Sequence, residues 1–285
     1  MINYYLYRIG QSLALSLPIK IAYGLAVVFS DLHYLFVWRD RQATKENLKA
    51  VFPEKSDFEI RRIRKNLFRN FSKYLVDFFR FSEIDRSYVA RQVKVENSHY
   101  IDEGLSRGKG VITLTAHLGN WELGGVVIAS MGYPFTVVAL PHKNPKVNNF
   151  FNSQRESKGI KVIPVGNAVR SCLSILRENK VLALAGDRNF NEKGMVVDFF
   201  GRPTILPVGP AAIALKTQAA IVPGFMLRNK DDTFTLRFEK AIEFNASGDK
   251  KKDIQELVRS YKTVIENYIR KYPEQWGVFR RFWVR

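Results

Sequence analysis

Gly108-Lys109-Gly110-Val111-Ile112-Thr113-Leu114-Thr115-Ala116-His117-Leu118-Gly119-Asn120-Trp121-Glu122 is the stretch whose reading decides the fold. Glycines open it, and residues 111–115 are an apolar and β-branched run, the pattern of a strand buried on both faces. Gly119 permits a tight turn, a helix starts near Asn120, and residues 123–131 are small and apolar, as a packed helix requires. Strand, glycine turn and helix together make the first half of a βαβ unit.

The same alternation continues downstream. Residues 135–140 read as a strand, 149–158 as a helix stopped by Gly159, and 160–165 as a strand ending near Gly166. Asn167 can cap a helix over 168–178, and 181–185 read as a fourth strand. A helix over 210–217 and a strand from 220 follow, and 233–238 and 241–244 read as late, edge-side strands. Ile254, Leu257, Val258, Tyr261, Val264, Ile265, Tyr268 and Ile269 mark an amphipathic C-terminal helix. Upstream, Ser56-Asp57-Phe58-Glu59 reads as a capping box. It opens a basic helix in which Ile60, Ile63, Leu67, Phe71, Tyr74 and Phe78 recur at helical spacing. The pattern predicts an α/β fold: a single domain over 46–285 with a mixed central sheet flanked by helices, preceded by N-terminal membrane-associated helices over 1–45.

That N-terminal segment carries no signal-peptide pattern. Residues 21–38 are apolar and aromatic but marginal in length for a span, with Asp31 past the middle. Tyr4, Tyr5, Tyr7, Tyr23, Tyr34 and Trp38 suit the headgroup zone, and Arg39 and Arg41 follow as a basic flank. An in-plane or partly inserted anchor fits better than a clean span; two ordinary core helices are the plain alternative.

The 285 residues hold 45 Lys+Arg against 27 Asp+Glu, a formal charge of +18. Such a balance calls for an anionic partner: nucleic acid, a membrane surface, an acidic protein or a phosphorylated substrate. The lone Cys172 excludes an internal disulfide and an all-Cys zinc site. Four scattered His suggest no metal site, and neither a G-x-S-x-G elbow nor a Walker loop is present. Cys172 lies on a helix with Val169, Leu173 and Leu176 and reads as core.

The chemistry is then expected at residues 115–122. Sites in open α/β sheets form beyond the carboxyl ends of strands, where His117 sits. Glu122 lies five residues on, in the first helical turn, and can fold back to the imidazole. A carboxylate on one ring nitrogen fixes the tautomer and raises the basicity of the other, making His117 a base for a hydroxyl. A His that merely caps the next helix is the bland alternative. Arg155 sits on the helix before Gly159. Asp187-Arg188-Asn189 follows the strand over 181–185, on the same sheet edge as His117.

His117 to Glu122, Arg155 with Gly159, Asp187-Arg188, Phe199-Phe200-Gly201 and Pro223 with Arg228 resemble the lipid A biosynthesis (late, or secondary) acyltransferases, within the bacterial lysophospholipid acyltransferase group. The resemblance implies a glycerolipid-acyltransferase-like fold. It also implies direct transfer of a fatty acyl chain from an acyl thioester, acyl-carrier protein or acyl-CoA, to a lipid hydroxyl, with no acyl-enzyme and no cofactor. His117 would be the general base and Glu122 its partner, with Arg155 stabilising an oxyanion or holding a phosphate. Asn120, Asp187, Arg188, Phe199, Phe200, Gly201 and Arg228 would bind substrate, the two Phe walling an acyl groove unless they pack as core. Location would be the cytoplasmic face of the bacterial inner membrane, monotopic or single-pass, on anionic phospholipid. Asp187-Arg188 departs from the Asp-Gln of the lipid A enzymes and looks more like the phosphatidylinositol mannoside acyltransferases, a sister group, so a second glycolipid acceptor stands beside the lipid A precursor. A basic nucleic-acid-binding protein, with the aromatic and basic tail over 276–285, is the reading from a different class. It lacks a zinc-finger or RRM signature, and the apolar N-terminus fits it poorly. A membrane scaffold that has lost activity is the third reading, and the intact His117 and Glu122 speak against it.

Overall fold

The computed structural model describes residues 2–166, 168–189 and 194–284. Three helices open the chain: α1 (Ile2–Ser16), α2 (Ile19–Phe36) and α3 (Trp38–Val51). The long α4 (Asp57–Phe79) follows, with Ser56 and Glu59 closing the capping box reciprocally. Next come α5 (Arg86–Gln92), β1 (Val93–Glu96), α6 (His99–Leu105), β2 (Val111–Thr115), α7 (Trp121–Ser130), β3 (Phe135–Ala139), α8 (Pro145–Glu156), β4 (Lys161–Pro164), α9 (Ala168–Arg177) and β5 (Val181–Ala185). The chain then forms β6 (Gly194–Phe199), β7 (Arg202–Pro207), α10 (Gly209–Thr217), β8 (Ala220–Arg228), β9 (Phe234–Phe238) and α11 (Lys250–Lys271). The expected cap at Asn167 lies outside the described residues.

Seven strands form one sheet in the order β1-β9-β8-β2-β5-β3-β4. All neighbours are parallel except β8 with β9, so the sheet is mixed, as expected. Strand alternation divides the core in two. On β8, Ile221, Phe225 and Leu227 join Ile112 and Leu114 in a core with α9, α10 and α11. Ala220, Val222 and Met226 face the other way, toward α7, α8 and the end of α4. The chain leaves β2 toward the β4 edge and leaves β5 toward the β1 edge. That change of direction opens a crevice beyond the carboxyl ends of β2 and β5, the switch point at which α/β sheets bind ligands.

Two expectations change. Residues 241–244 do not form a strand; Ile242 N–H donates to the Ile221 carbonyl at 2.8 Å, but the segment extends no ladder. In their place β1 is a parallel edge strand on β9, too short to stand out by periodicity. The segment 194–207 is an antiparallel hairpin outside the main sheet, closed by Phe200-Gly201, both at positive φ (53° and 77°). A two-residue turn with both φ positive matches the right-handed twist of its strands.

The N-terminal helices are not ordinary core. α2 packs along α4, and Asp31 turns inward to meet Arg69 (Nε to Oδ1 2.8 Å) and Lys65 (3.3 Å). The opposite side stays apolar and exposed through Tyr5, Leu6, Ile9 and Leu13 on α1 and Ile21, Val28, Phe29, Leu32 and Leu35 on α2, with Phe36 82% exposed. α2 is long and apolar enough to cross a membrane.

Candidate active site

His117 lies two residues beyond β2, and Asp187 two residues beyond β5. The two strands run parallel in register, with Thr115 opposite Ala185, so strand pairing alone places 117 beside 187. His117 Nδ1 is 2.8 Å from Asp187 Oδ1, and the His117 backbone N–H donates to Oδ2 at 3.0 Å. The Asp187 side chain is fully buried, and the His117 ring is partly exposed. Burial works to raise the Asp187 carboxyl, but the charge of His117 and its hydrogen bonds hold it below the usual carboxylate range. Asp187 is thus an anion held against one nitrogen of a reachable imidazole, leaving Nε2 on the side away from it.

This revises the expected partnership. The Glu122 carboxylate is turned to Arg155, not to His117: Arg155 Nε and Nη2 donate to its two oxygens at 2.9 and 2.6 Å. The reason is the helix start. Asn120 caps α7, its Oδ1 accepting from Leu123 N–H at 3.1 Å, and Glu122 in the first turn leans toward the last turn of α8, where Arg155 sits. Burial disfavours the Arg155 charge, but Glu122 outweighs it and holds the guanidinium above its ordinary range. Arg155 also donates to Asn152 at 3.1 Å, so its geometry is that of a clamp.

The turn between His117 and α7 is locked by backbone. Gly119, at φ 70°, has no room for a side chain: a Cβ there would stand 1.9 Å from the Met226 carbonyl oxygen. Its N–H donates to the Gln275 carbonyl at 2.9 Å, and Asn120 N–H to the Met226 carbonyl at 2.8 Å. Gly277 N–H in turn donates to the His117 carbonyl at 2.8 Å, so the C-terminal tail lies across the site. Trp121 sets its ring edge-on to His117 at 5.1 Å between centroids and stacks on Tyr74 at 4.6 Å.

A second knot holds the turn from behind. The Asn120 amide donates to Asp77 Oδ2 at 2.7 Å, and Asp77 also accepts from Tyr23 Oη and Arg228 Nη2. Burial opposes the Arg228 charge, but the Asp77 carboxylate holds it well above its ordinary value. Arg228, read from the sequence as a substrate contact, therefore sits in a buried ion pair. Asp77 was missed, although one carboxylate in Tyr74-Leu75-Val76-Asp77-Phe78-Phe79 is the kind of buried charge that marks a structural network.

The remaining expected residues separate. Arg188 follows Asp187 directly, and its Nη2 donates to the Gly277 carbonyl of the tail. Phe199, Phe200 and Gly201 sit at the tip of the β6–β7 hairpin, the opposite end from Gly194, where an added Cβ would stand 2.5 Å from Asn189 Nδ2. Phe199 is fully buried against Phe200, Phe282 and Trp283, which is core packing rather than a groove wall. A small apolar slot of about 30 Å³ lies near the 117–120 turn, between α7 and the sheet, lined by Thr115, Trp121, Gly124, Gly125, Phe135 and Met226 among others. Gly124 and Gly125 bring α7 close: a Cβ on them would stand 3.2 Å from Met226 and 3.0 Å from Phe135. No group of three or more metal-ligating side chains occurs among the described residues.

A strand-end imidazole held by a buried carboxylate is an arrangement that can take a proton from a hydroxyl. The family follows from the sequence as a whole: the model of the bacterial lipid A biosynthesis acyltransferases matches residues 1–285, and the chain belongs to that family. It is 27% identical over 284 residues to a phosphatidylinositol mannoside acyltransferase of Mycolicibacterium smegmatis, covering 90% of this chain and 91% of the relative. It is 33% identical over 160 residues to the protein of that name in Mycobacterium tuberculosis, an alignment that spans about half of that relative (51%) and 54% of this chain. A lipid A biosynthesis acyltransferase of Haemophilus influenzae is 22% identical over 249 residues, covering 85% of this chain and 77% of the relative.

Proposed function

We propose that this acyltransferase moves a fatty acyl chain from a thioester donor, acyl-carrier protein or acyl-CoA, to a hydroxyl of a membrane glycolipid. His117 is the general base and Asp187 its positioning partner. The observation that carries the reading is the Nδ1 contact to a buried, ionised Asp187, 2.8 Å long. With Nδ1–H directed at that carboxylate, Nε2 takes the hydroxyl proton as the oxygen attacks the thioester carbonyl. Asp187 stabilises the imidazolium that results, and the proton leaves with the thiolate when the tetrahedral adduct collapses. Cys172 is buried, and burial pushes its thiol up to about 11, the opposite of an activated nucleophile. This supports direct transfer without an acyl-enzyme.

The acceptor is a lipid A precursor or a related glycolipid such as a phosphatidylinositol mannoside. Relatives of both kinds match the chain, and Asp187-Arg188 favours the mannoside type. The exposed apolar face of α1 and α2 supports in-plane association with a membrane, taken here as the cytoplasmic face of the bacterial inner membrane, where the donor and acceptor would meet. Asp31 is tied to Arg69 and Lys65, so a crossing α2 would have to break those contacts. Clustered cations are accounted for by phospholipid, acidic carrier protein and phosphorylated acceptor, without nucleic acid.

The test is a product assay in detergent. Acyl-carrier protein and acyl-CoA are each offered with tetra-acylated lipid A precursor and with phosphatidylinositol mannoside, wild type beside His117→Ala. A His117-dependent mass gain of one acyl chain is expected on one acceptor and identifies it. Turnover that survives His117→Ala within a factor of about three, against the roughly 10² to 10⁴ that a general base contributes, would remove the mechanism.

A further inference from the structure

A second cavity lies outside the His117 site. It is open to solvent and holds about 670 Å³ between α2, the end of α4, α5 and the turn joining β8 to β9. That volume is within the ordinary range for a small-molecule site. Its floor is the back of the Asp77 knot, where Tyr23 donates to the carboxylate. Lys73 and Arg80 in its wall are already engaged, Lys73 with Asp232 at 2.8 and 2.7 Å and Arg80 with the Ala14 and Leu17 carbonyls. Lys20 and Arg91 are different. Both are exposed at the rim, and neither has a carboxylate within ion-pair distance among the described residues; Arg91 reaches only the Ser87 hydroxyl. Glu83 and Gln92 bring acceptors to the same space, and the Tyr88 phenol, pushed up to about 12 by burial and then by Asp77, remains a neutral donor at pH 7.

The position on α2 is as informative as the lining. Lys20, Gly24 and Val27 face the cavity, while Ile21, Leu25 and Val28, one step around the helix, are exposed and apolar. Gly24 leaves the wall open, since a Cβ there would meet nothing within 4 Å. A molecule with its polar end in the cavity can therefore keep its chains against the apolar face of α2. Lys20 and Arg91 suit one phosphodiester, while the carboxylates Glu83 and Asp231 in the same lining, with no ion-pair partner among the described residues, serve as acceptors for several hydroxyls.

We propose that this cavity is a subsite for the headgroup of a membrane lipid in which a phosphodiester carries a hydroxyl-rich ring. It deepens the acyltransferase reading, but it is tested by binding, so the two can fail separately. The probes are vesicles of phosphatidylcholine doped to equal surface charge with phosphatidylinositol or phosphatidylglycerol, read by flotation. Phosphatidylinositol is expected to bind about tenfold more tightly than phosphatidylglycerol, a difference of roughly 1.4 kcal/mol. Soluble glycerophosphoinositol is expected to abolish that preference. The double variant Lys20→Ala/Arg91→Ala should bring the ratio near one, and so should Val27→Trp, which fills the cavity without changing charge. The control Lys251→Ala/Lys252→Ala, an exposed pair on α11, should leave the ratio intact. Equal binding of the two anionic lipids by wild type, or an equal loss in the control pair, overturns the proposal. Acceptor kinetics then identify the occupant. A raised KM with unchanged kcat in Lys20→Ala/Arg91→Ala makes it the acceptor's own headgroup; unchanged constants with the binding preference lost make it a separate bilayer lipid.

Discussion

The pair His117–Asp187 and the pair Arg155–Glu122 stand at the same sheet edge, both anchored in the block 117–122, yet they are built for opposite purposes. In the first the carboxylate is fully buried and the partner is an imidazole, a group that can accept a proton and give it back. In the second both partners keep about a tenth of their exposure, and the cation is a guanidinium, charged at every accessible pH. A proton can be taken up and returned only by the first. The second can only hold geometry, and its bidentate fork fixes α7 against α8. Sequence proximity would join His117 to Glu122; the fold instead joins each to a residue brought in by a different element.

The contrast can be attacked directly. The largest expected effect, after loss of His117 itself, is that of Asp187→Asn. An Asn side chain can donate its amide N–H to Nδ1 and so favour the wrong tautomer, with the ring proton on Nε2, and such a change has lowered kcat by about 10⁴ in a His–Asp protease site. Steady-state rates on a product-verified substrate are the check, and a loss below about tenfold would break the comparison. The same variant reports on acid stability. A carboxyl whose folded value is depressed stabilises the native state above its unfolded value of about 3.9 and loses that contribution as pH falls through the folded value. Asp187→Asn should therefore flatten the acid limb of unfolding free energy below about pH 4. A limb as steep as that of wild type would place the titrating group elsewhere.

A smaller catalytic effect is expected from Glu122→Gln. It leaves the Arg155 charge poorly compensated, and breaking a buried pair costs about 3 to 5 kcal/mol when water is fully excluded. The residual exposure of both partners brings the expected loss nearer about 2, read as a drop in unfolding free energy. The pH–rate profile should keep its shape. A shifted acid limb would return Glu122 to the role of His117's partner. The smallest effect on turnover belongs to Phe199→Ala. Removing a fully buried Phe costs about 3 to 5 kcal/mol of stability, yet acyl-chain preference in the folded enzyme should be unchanged. A change in chain-length selectivity would mean that the hairpin tip does wall the acyl groove.

The comparison also shows what was legible in the sequence. Residues 111–115 and 181–185 stand out as strands because buried parallel strands are continuous apolar runs, and the structure keeps both sets of bounds. The two runs by themselves place His117 and Asp187 on one sheet edge. They do not place the two in contact, because that depends on β2 lying beside β5 rather than β3, and strand order is a long-range property with no local signal. Glu122 misled for the complementary reason: helical spacing says which residues are near along the chain, not that Arg155 would arrive from α8. The hairpin over 194–207 was missed although Met195, Val197 and Phe199 alternate, since Phe at a positive-φ turn position is not a usual turn signal. Of the N-terminal helices the sequence showed the apolar and aromatic character, but not that Asp31 pays for its place by facing Arg69.

The most direct measurement is a double-mutant cycle on His117→Ala and Asp187→Asn, read as single-turnover acyl transfer at saturating donor. If Asp187 acts only through the imidazole, the double variant should be no slower than His117→Ala alone, because residues that act as one unit are not additive. If the two losses multiply instead, Asp187 acts on substrate independently of His117, and the dyad is not the base of this enzyme.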